Sequence, residues 1–378
     1  MTSVETGAGL RELVVCSLEA WDEVWRRNQF FVDILLRRNP SLRVLFVEPP
    51  ADVLHDLSQQ RPPQMPKLRR ISGDGRLRAL RPLKVLPRRL GSLADTLLLR
   101  QVGFAARAAG FSRPILWIND VTYAPLIRST GWPSVYDVTD DWLLAPFPPR
   151  ELDRLRRLDA LALAQAREVV TCSERLASSR GLERTVTVIP NAVDADHFQR
   201  PRTRPHDLPS PPTAVYVGSL HDARIDVDLV AELALTLPYL NLTFVGPNSL
   251  SAQSQERLAA LQNVHLLGQR EYDHVPAYVQ HADVLVVPHR VSPFTDSLDP
   301  IKAYECLCVA TPTVATPIAG FVEHGDVFTI ASRAKFASRV ASVLSDAAVR
   351  LPHRRPATWK DRATAFEAVL KKADAGDA

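Results

Sequence analysis

A lysine and a glutamate stand three positions apart at the start of a predicted helix, where they could bind an anionic ligand. Pro300 is expected to open this helix, because proline has no N–H group to leave unbonded in the first turn. Lys302 and Glu305 then share one helix face, close to the free N–H groups and the partial positive charge of the helix start. This arrangement suits a diphosphate, with a carboxylate nearby for sugar hydroxyls. The alternative is a surface ion pair between Lys302 and Glu305.

The residues around this helix form a longer pattern that is similar to a known family. Residues 296–315 read DSLDPIKAYECLCVATPTVA and resemble the donor-site signature of the GT-B glycosyltransferases, especially the bacterial group 1 enzymes. The resemblance implies that Glu305 holds the nucleotide ribose, that Lys302 contacts the diphosphate, and that residues 292–299 present backbone N–H groups to the donor. The donor-site residues implied within this loop are Asp296, Ser297 and Leu298. The larger family has a Glu-x7-Glu motif, and Ser297 stands where its first glutamate is expected.

A second segment, GSLHDARID at residues 218–226, directly follows an apolar strand. A glycine there lets the backbone approach a ligand closely, and an arginine can hold phosphate oxygens through two parallel hydrogen bonds. The resemblance therefore implies that Gly218, Ser219 and Arg224 belong to the donor site, while a plain turn with a surface arginine is the alternative. His289 follows another apolar strand, and it is expected either to contact the donor sugar or to be solvated.

Three acids follow an apolar strand in the N-terminal half, namely Asp137, Asp140 and Asp141. Because ligands of parallel sheets bind at the carboxyl ends of strands, we expect at least one of these acids to act as the catalytic base while the transition state develops. An N-cap for the next helix is the alternative. Many GT-B enzymes carry a histidine in this loop, but this chain has no histidine from residue 56 to residue 196.

The loop after the first predicted strand reads WDEVWRRNQ and is similar to the family's W-x(3–5)-R-x-Q helix start. The resemblance implies that Trp21, Arg27 and Gln29 bind the acceptor, with a core role for the tryptophan as the alternative. The sequence IPNAVD at residues 189–194 resembles the family's segment that closes the first domain. We expect Asn191 and Asp194 to tie down a turn there.

Apolar strands alternate with helices along both halves of the chain, which indicates parallel sheets covered on both faces. A chain of 378 residues exceeds one ordinary core, so two domains are expected. The predicted fold class is α/β, and the resemblance implies GT-B, with two Rossmann-like doubly wound domains facing across a cleft. We expect an acceptor-binding domain at 1–200, a nucleotide-sugar-binding domain at 201–350 after a proline-rich linker at 199–213, and a C-terminal helix within 351–378 that crosses back to the first domain.

The composition is typical of a globular protein, with 46% hydrophobic and 23% charged residues. The net charge of +4 is too small to indicate a nucleic-acid partner. The four cysteines show neither zinc spacing nor favourable disulfide geometry, so we expect reduced thiols, a cytoplasmic location and no metal site. The N-terminus lacks the apolar run of a signal peptide, and no window reaches 18 apolar residues.

Residues 61–89 contain ten Lys and Arg residues and one acid, Asp74, which gives the segment a net charge of +9. Attraction to an anionic membrane is worth about 1 kcal/mol for each basic residue near the surface. Peripheral contact with the inner face of the cell membrane, or with an anionic acceptor, is therefore one hypothesis, and a solvated face is the other. Aromatic residues do not interleave with these charges, which again argues against nucleic acid.

Together these patterns predict transfer of a sugar from a nucleotide-diphosphate sugar to a hydroxyl of a glycan, glycolipid or natural product. The helix start, Arg224 and Lys302 would stabilise the leaving diphosphate without a metal ion. No cofactor is expected besides this co-substrate, for which UDP is the expected nucleotide and dTDP or GDP are alternatives. A non-catalytic nucleotide-sugar-binding auxiliary protein and a nucleotide-sugar epimerase are the rival functions. Retention and inversion of configuration both stay open.

Overall fold

The computed structural model describes residues 9–52, 67–84, 92–182, 184–346 and 354–375. The chain divides into two compact units, of which the first consists of Met1–Thr139, Phe147–Pro190 and Lys360–Ala378. The second consists of Asp140–Pro146 and Asn191–Trp359. The division after Pro190 comes before the proline-rich stretch at 199–213, so that stretch lies within the second unit.

The first unit is an α/β layer structure. Its strands are β1 (Glu12–Cys16), β2 (Arg43–Val47), β3 (Ala51–Asp52), β4 (Lys67–Arg70), β5 (Leu77–Arg81), β6 (Leu83–Lys84), β7 (Ile115–Ile118), β8 (Ser134–Val138), β9 (Glu168–Thr171) and β10 (Thr187–Val188). Its helices include α1 (Arg27–Arg38), α2 (Ser92–Ala108), α3 (Leu126–Thr130), α4 (Pro149–Gln165) and α5 (Glu174–Arg180). The main sheet has the order β10-β9-β8-β7-β1-β2-β5-β4, and β3 pairs with β6. Within the main sheet β4 runs antiparallel to β5, and the other pairs are parallel.

The second unit repeats this plan with six parallel strands. They are β11 (Thr213–Val217), β12 (Asn241–Val245), β13 (Val264–Gly268), β14 (Val284–Val287), β15 (Thr313–Ala315) and β16 (Thr329–Ile330). Its helices are α6 (Ala195–Gln199), α7 (Val227–Thr236), α8 (Ala252–Ala259), α9 (Val275–Gln280), α10 (Ile301–Cys308) and α11 (Phe336–Ser345). The sheet order is β13-β12-β11-β14-β15-β16. Every residue of β14 is buried, as the prediction of a sheet covered on both faces requires.

The last helix, α12 (Trp359–Ala375), belongs to the first unit from Lys360 onward. Phe366 is fully buried, with its ring centre 4.9 Å from that of Phe31 and 4.5 Å from that of Trp117. This aromatic cluster fixes the helix to the core of the first unit.

All four cysteines are buried, and none forms a disulfide. Among the described residues, no helix has the length and apolar character that crossing a membrane requires.

Candidate functional site

The predicted donor residues gather where the strand order of the second sheet reverses. β11 lies between β12 and β14, so the chain leaves β11 towards one side of the sheet and later returns to its other side. Ligands of doubly wound sheets bind at the carboxyl ends of the strands beside such a point. Gly218 follows β11 and His289 comes soon after β14. Lys302, from α10, reaches the same edge, where its ammonium donates a hydrogen bond to the carbonyl of Val217.

Gly218 leaves the space that the Lys302 side chain occupies. Its φ is +145°, a conformation that favours glycine, and a Cβ atom built there would overlap Lys302 Nζ. The ammonium also lies 4.7 Å from the centre of the Tyr216 ring, which is a cation–π distance. Lys302 is therefore held by β11, and the alternative of a surface ion pair with Glu305 is wrong.

Glu305 is partly buried and forms no hydrogen bond or ion pair with any residue that the structure describes. Burial raises the pKa of its carboxyl, and the Lys302 charge opposes that rise. A half-buried carboxylate without a partner is unfavourable unless a ligand supplies hydrogen bonds. Glu305 is thus available to accept hydrogen bonds from hydroxyl groups.

His289 is a neutral imidazole within this cluster. It is 4% exposed, and its Nε2 lies 3.0 Å from the Tyr216 hydroxyl. Burial lowers the pKa of His289 well below its usual 6.5, and the charges of Lys302 and Arg224 lower it further. Its Nδ1 has no hydrogen-bond partner in the described part of the chain, so the prediction of a solvated loop histidine is wrong.

Tyr216 contacts both Lys302 and His289, and it is not among the site residues that the sequence predicts. A tyrosine inside an apolar strand carries no sequence signal of its own. Its hydroxyl also lies 3.5 Å from the carbonyl oxygen of Ser219, whose side chain is exposed.

Arg224 joins the cluster through backbone and side chain. Its carbonyl accepts a 2.7 Å hydrogen bond from the N–H of Arg290, which ties the loop after β11 to the loop after β14. The guanidinium lies 3.1 Å from the carboxylate of Asp140 and 5.8 Å from the centre of the Phe294 ring. It is 37% exposed, so an anion can reach it.

The loop at 292–299 was predicted to present its backbone N–H groups to the donor, but several of them bond within the loop. The hydroxyl of Ser297, which is 1% exposed, donates to the carbonyl of Phe294 at 2.7 Å, and Leu298 packs on the Phe294 side chain. The N–H groups of residues 292, 295, 296 and 297 all bond within the loop. The side chains of Ser297 and Leu298 therefore stabilise the loop, while that of Asp296 stays partly exposed.

The start of α10 is anchored but not capped. The backbone N–H and side-chain amide of Asn191 donate to Asp299, and the Tyr304 hydroxyl donates to the Asp299 carboxylate at 2.8 Å. The first-turn N–H of Ala303 donates to the carbonyl of Pro300 at 2.9 Å. Pro300 offers no side-chain cap to the N–H groups of Ile301 and Lys302, which can bind an anion. The predicted structural role of Asn191 is confirmed, as is that of Asp194, whose carboxylate accepts from the N–H of His197.

Two predicted site residues of the first unit neutralise each other in its core. Arg27 and Asp137, which are 4% and 0% exposed, form two hydrogen bonds of 3.1 Å. The indole N–H of Trp117 also donates to Asp137 at 3.2 Å. The catalytic prediction for Asp137 and the acceptor prediction for Arg27 are therefore corrected, because breaking a buried pair would leave an uncompensated charge.

Three further predicted site residues are buried or pack within the fold. Gln29 is fully buried and accepts from the N–H of Arg26 at 2.9 Å, which caps α1. Trp21 packs edge-on against Phe46, with 5.1 Å between ring centres. Asp141 is 5% exposed and gives no side-chain cap to the 3-10 helix Trp142–Leu144. Of the three predicted catalytic acids, Asp140 is the most accessible, at 19% exposure.

Part of the basic segment, at residues 61–66 and 85–89, lies outside the described residues. Within the described part, Arg69 pairs with Glu48, Arg76 with Asp74, and Lys84 with Asp52. These pairs reduce the charge that this part can offer to an anionic surface. Over all the ranges that the structure describes, no group of three or more His, Cys, Asp or Glu side chains is arranged to hold a metal ion.

Comparison with known proteins supports the resemblance in the second unit. Residues 211–346 match the family model of the glycosyl transferases group 1. This region is therefore similar to the domain that the group 1 glycosyltransferases share. A curated relative, the proposed teichuronic acid biosynthesis glycosyltransferase TuaH of Bacillus subtilis (strain 168), is 26% identical over 229 residues, or 55% of this chain and 57% of the relative. The chain thus spans little more than half the length of this relative.

Solved structures confirm the GT-B fold over nearly the whole chain. The apo structure of OtsA has a TM-score of 0.63 at 15% identity and covers 96% of both chains. A trehalose-6-phosphate structure from E. coli, bound with UDP-2-fluoro glucose, has a TM-score of 0.61 at 15% identity and covers 96% of this chain and 99% of its own. The α,α-trehalose 6-phosphate synthase of Burkholderia multivorans has a TM-score of 0.57 at 13% identity and covers 97% of this chain and 94% of its own.

Proposed function

We propose that this protein is a glycosyltransferase that moves a sugar from a nucleotide-diphosphate sugar to an acceptor hydroxyl. The observation that carries the proposal is the cluster at the carboxyl ends of β11 and β14. Lys302, in the first turn of α10, and Arg224 both lie close enough for their charges to act on His289. Glu305, which has no partner among the described residues, lies close enough to Lys302 for its charge to act on the carboxyl. Two cations and a helix start attract a diphosphate. A carboxylate that lacks a partner suits the paired hydroxyls of a ribose.

In the proposed reaction the bond between the sugar C1 and the diphosphate oxygen breaks, and the diphosphate leaves with the electron pair. Arg224, Lys302 and the first-turn N–H groups of α10 stabilise the developing negative charge without a metal ion. A bond forms between C1 and the acceptor oxygen, and the acceptor hydroxyl transfers its proton to the leaving diphosphate. We propose that His289, whose Nδ1 has no hydrogen-bond partner among the described residues, hydrogen-bonds the donor sugar.

UDP is the nucleotide that we propose, in agreement with the UDP sugar in a structure of similar fold. The acceptor is a hydroxyl of a glycan, glycolipid or natural product. We place the reaction in the cytoplasm, where four buried thiols remain reduced.

The test measures binding and turnover with UDP-, dTDP- and GDP-sugars. A ligand at a hundred times its dissociation constant stabilises the protein by about 2.7 kcal/mol, which a thermal melt detects. Lys302→Ala and Glu305→Gln should clearly reduce that stabilisation, whereas Lys335→Ala and Glu323→Gln, which change exposed residues of the same unit, should leave it unchanged. The absence of stabilisation by all three nucleotide series would refute the proposal.

Turnover separates the proposal from its two rivals. A glycosyltransferase releases the nucleoside diphosphate in an acceptor-dependent reaction. An auxiliary protein would bind the nucleotide sugar without releasing the diphosphate under any acceptor. An epimerase would change the sugar while the nucleotide sugar stays intact, which chromatography of the reaction mixture would detect.

A further inference from the structure

The proposed donor site includes a short segment that lies far from the matched domain in sequence. Residues Asp140–Pro146 belong to the second unit, although Thr139 and Phe147 on either side belong to the first. We call this seven-residue segment the strap. It lies outside residues 211–346, which match the family model, so the match assigns it no role.

The strap contacts the loop at residues 292–299, which we call the donor loop, through apolar side chains. Ala145 is buried together with Phe294 and Leu298, and Trp142 packs against this group. The ring centres of Trp142 and Phe294 are 5.5 Å apart. The donor loop therefore depends on the strap for part of its packing.

The strap also contacts Arg224. The carboxylate of Asp140 lies 3.1 Å from the guanidinium, which itself lies over the Phe294 ring. Asp140 is 19% exposed and Arg224 is 37% exposed. Solvent screens an ion pair of this kind, so its strength is modest.

We infer that Asp140 is a positioning residue that holds the Arg224 guanidinium in the donor-free protein and releases it to the donor diphosphate. The inference rests on the proposed function. A guanidinium binds a carboxylate and a phosphate through the same pairs of parallel N–H groups, so the two anions compete for Arg224. The diphosphate carries more charge and also gains Lys302 and the start of α10, and it therefore displaces the carboxylate.

This exchange predicts that Asp140 opposes nucleotide binding. Asp140→Asn removes the competing charge while keeping the size of the side chain. Because an exposed ion pair is weak, we expect UDP and inorganic pyrophosphate to bind about 1.5-fold to fivefold more tightly to the variant. A residue that only stabilised the fold would leave binding unchanged or weaken it when changed.

The experiment is a double-mutant cycle measured by calorimetry on the full chain. The proteins are the wild type, Asp140→Asn, Arg224→Ala and the double variant, each titrated with UDP and with pyrophosphate. The expected result is that Asp140→Asn tightens binding in the wild-type background and has no effect in the Arg224→Ala background. Asp153→Asn, which removes a carboxylate from an exposed pair with Arg156 in the first unit, is the control and should match the wild type.

Several outcomes would overturn the inference. Unchanged or weaker binding by Asp140→Asn rejects it while leaving the proposed function intact, provided that the wild type binds UDP. Equal tightening in both backgrounds also rejects it, because Asp140 would then act through general repulsion and not through Arg224. If the wild type binds no nucleotide, the proposed function and the inference fail together. Melting curves check folding, and Asp140→Ser replaces Asp140→Asn if the latter does not fold.

Discussion

Replacing Gly218 by alanine tests the central geometry of the proposed donor site. The added Cβ would overlap the ammonium of Lys302 and lie 3.1 Å from its Cε and 3.2 Å from the Tyr216 hydroxyl. Lys302 must then leave its position beside β11. The φ of +145° adds backbone strain, which for a residue other than glycine costs about 1–3 kcal/mol.

Both effects have measurable sizes. Loss of a charge-assisted contact with the diphosphate weakens binding by about 1.5–3 kcal/mol, which is roughly a 10- to 150-fold rise in the dissociation constant for UDP. Strain of about 1–3 kcal/mol lowers the melting temperature by roughly 2–12 °C for a unit of this size. Calorimetry with UDP gives the first quantity, and a thermal melt gives the second.

A matched glycine separates binding from strain. Gly75, in the first unit, has a φ of +72°, and a Cβ built there would meet nothing within 4 Å. Gly75→Ala should therefore lower stability modestly and leave UDP affinity unchanged. If Gly218→Ala binds UDP as tightly as the wild type, the Lys302 position is irrelevant to the site and our reasoning is wrong.

Three further predictions follow from burial and charge. Glu305→Gln should weaken UDP binding roughly 10- to 150-fold. Burial holds the folded-state pKa of Glu305 above its usual 4.5. The free energy of unfolding of the wild type, relative to this variant, should therefore be greatest below pH 4.5 and fall as the pH rises through the raised pKa. Urea unfolding at several pH values measures this, and the absence of the trend would contradict it. The pKa of His289 is lowered, so the free energy of unfolding of the wild type should be full above pH 6.5 and decline as the pH falls below it. His289→Gln should flatten that decline. Parallel curves of unfolding free energy against pH for the two proteins would contradict this. Phe366→Ala should destabilise the first unit by about 3–5 kcal/mol, measured by urea denaturation, and a loss under 1 kcal/mol would show that α12 packs loosely.

The structure explains why some of the sequence predictions were wrong. Arg27 and Asp137 are types that bind ligands, and 110 positions separate them in sequence, so no local pattern reveals that each neutralises the other. Gln29 matched a family motif, but its amide caps α1. The motif therefore indicated the fold at this position and not contact with an acceptor.

The sequence by itself determined the two sheets and indicated the residues of the proposed donor site. Alternation of apolar strands and helices is a local property, as are the glycine after β11 and the Lys302–Glu305 spacing on one helix face. Only the tertiary structure decided which charged side chains pair with each other and which remain for a ligand. It buried Arg27 against Asp137, left Glu305 without a partner among the described residues, placed Tyr216 between Lys302 and His289, and brought Asp140 to Arg224. Pairing and burial depend on contacts between residues far apart in the chain, so they follow from the packed fold and not from the order of residues along it.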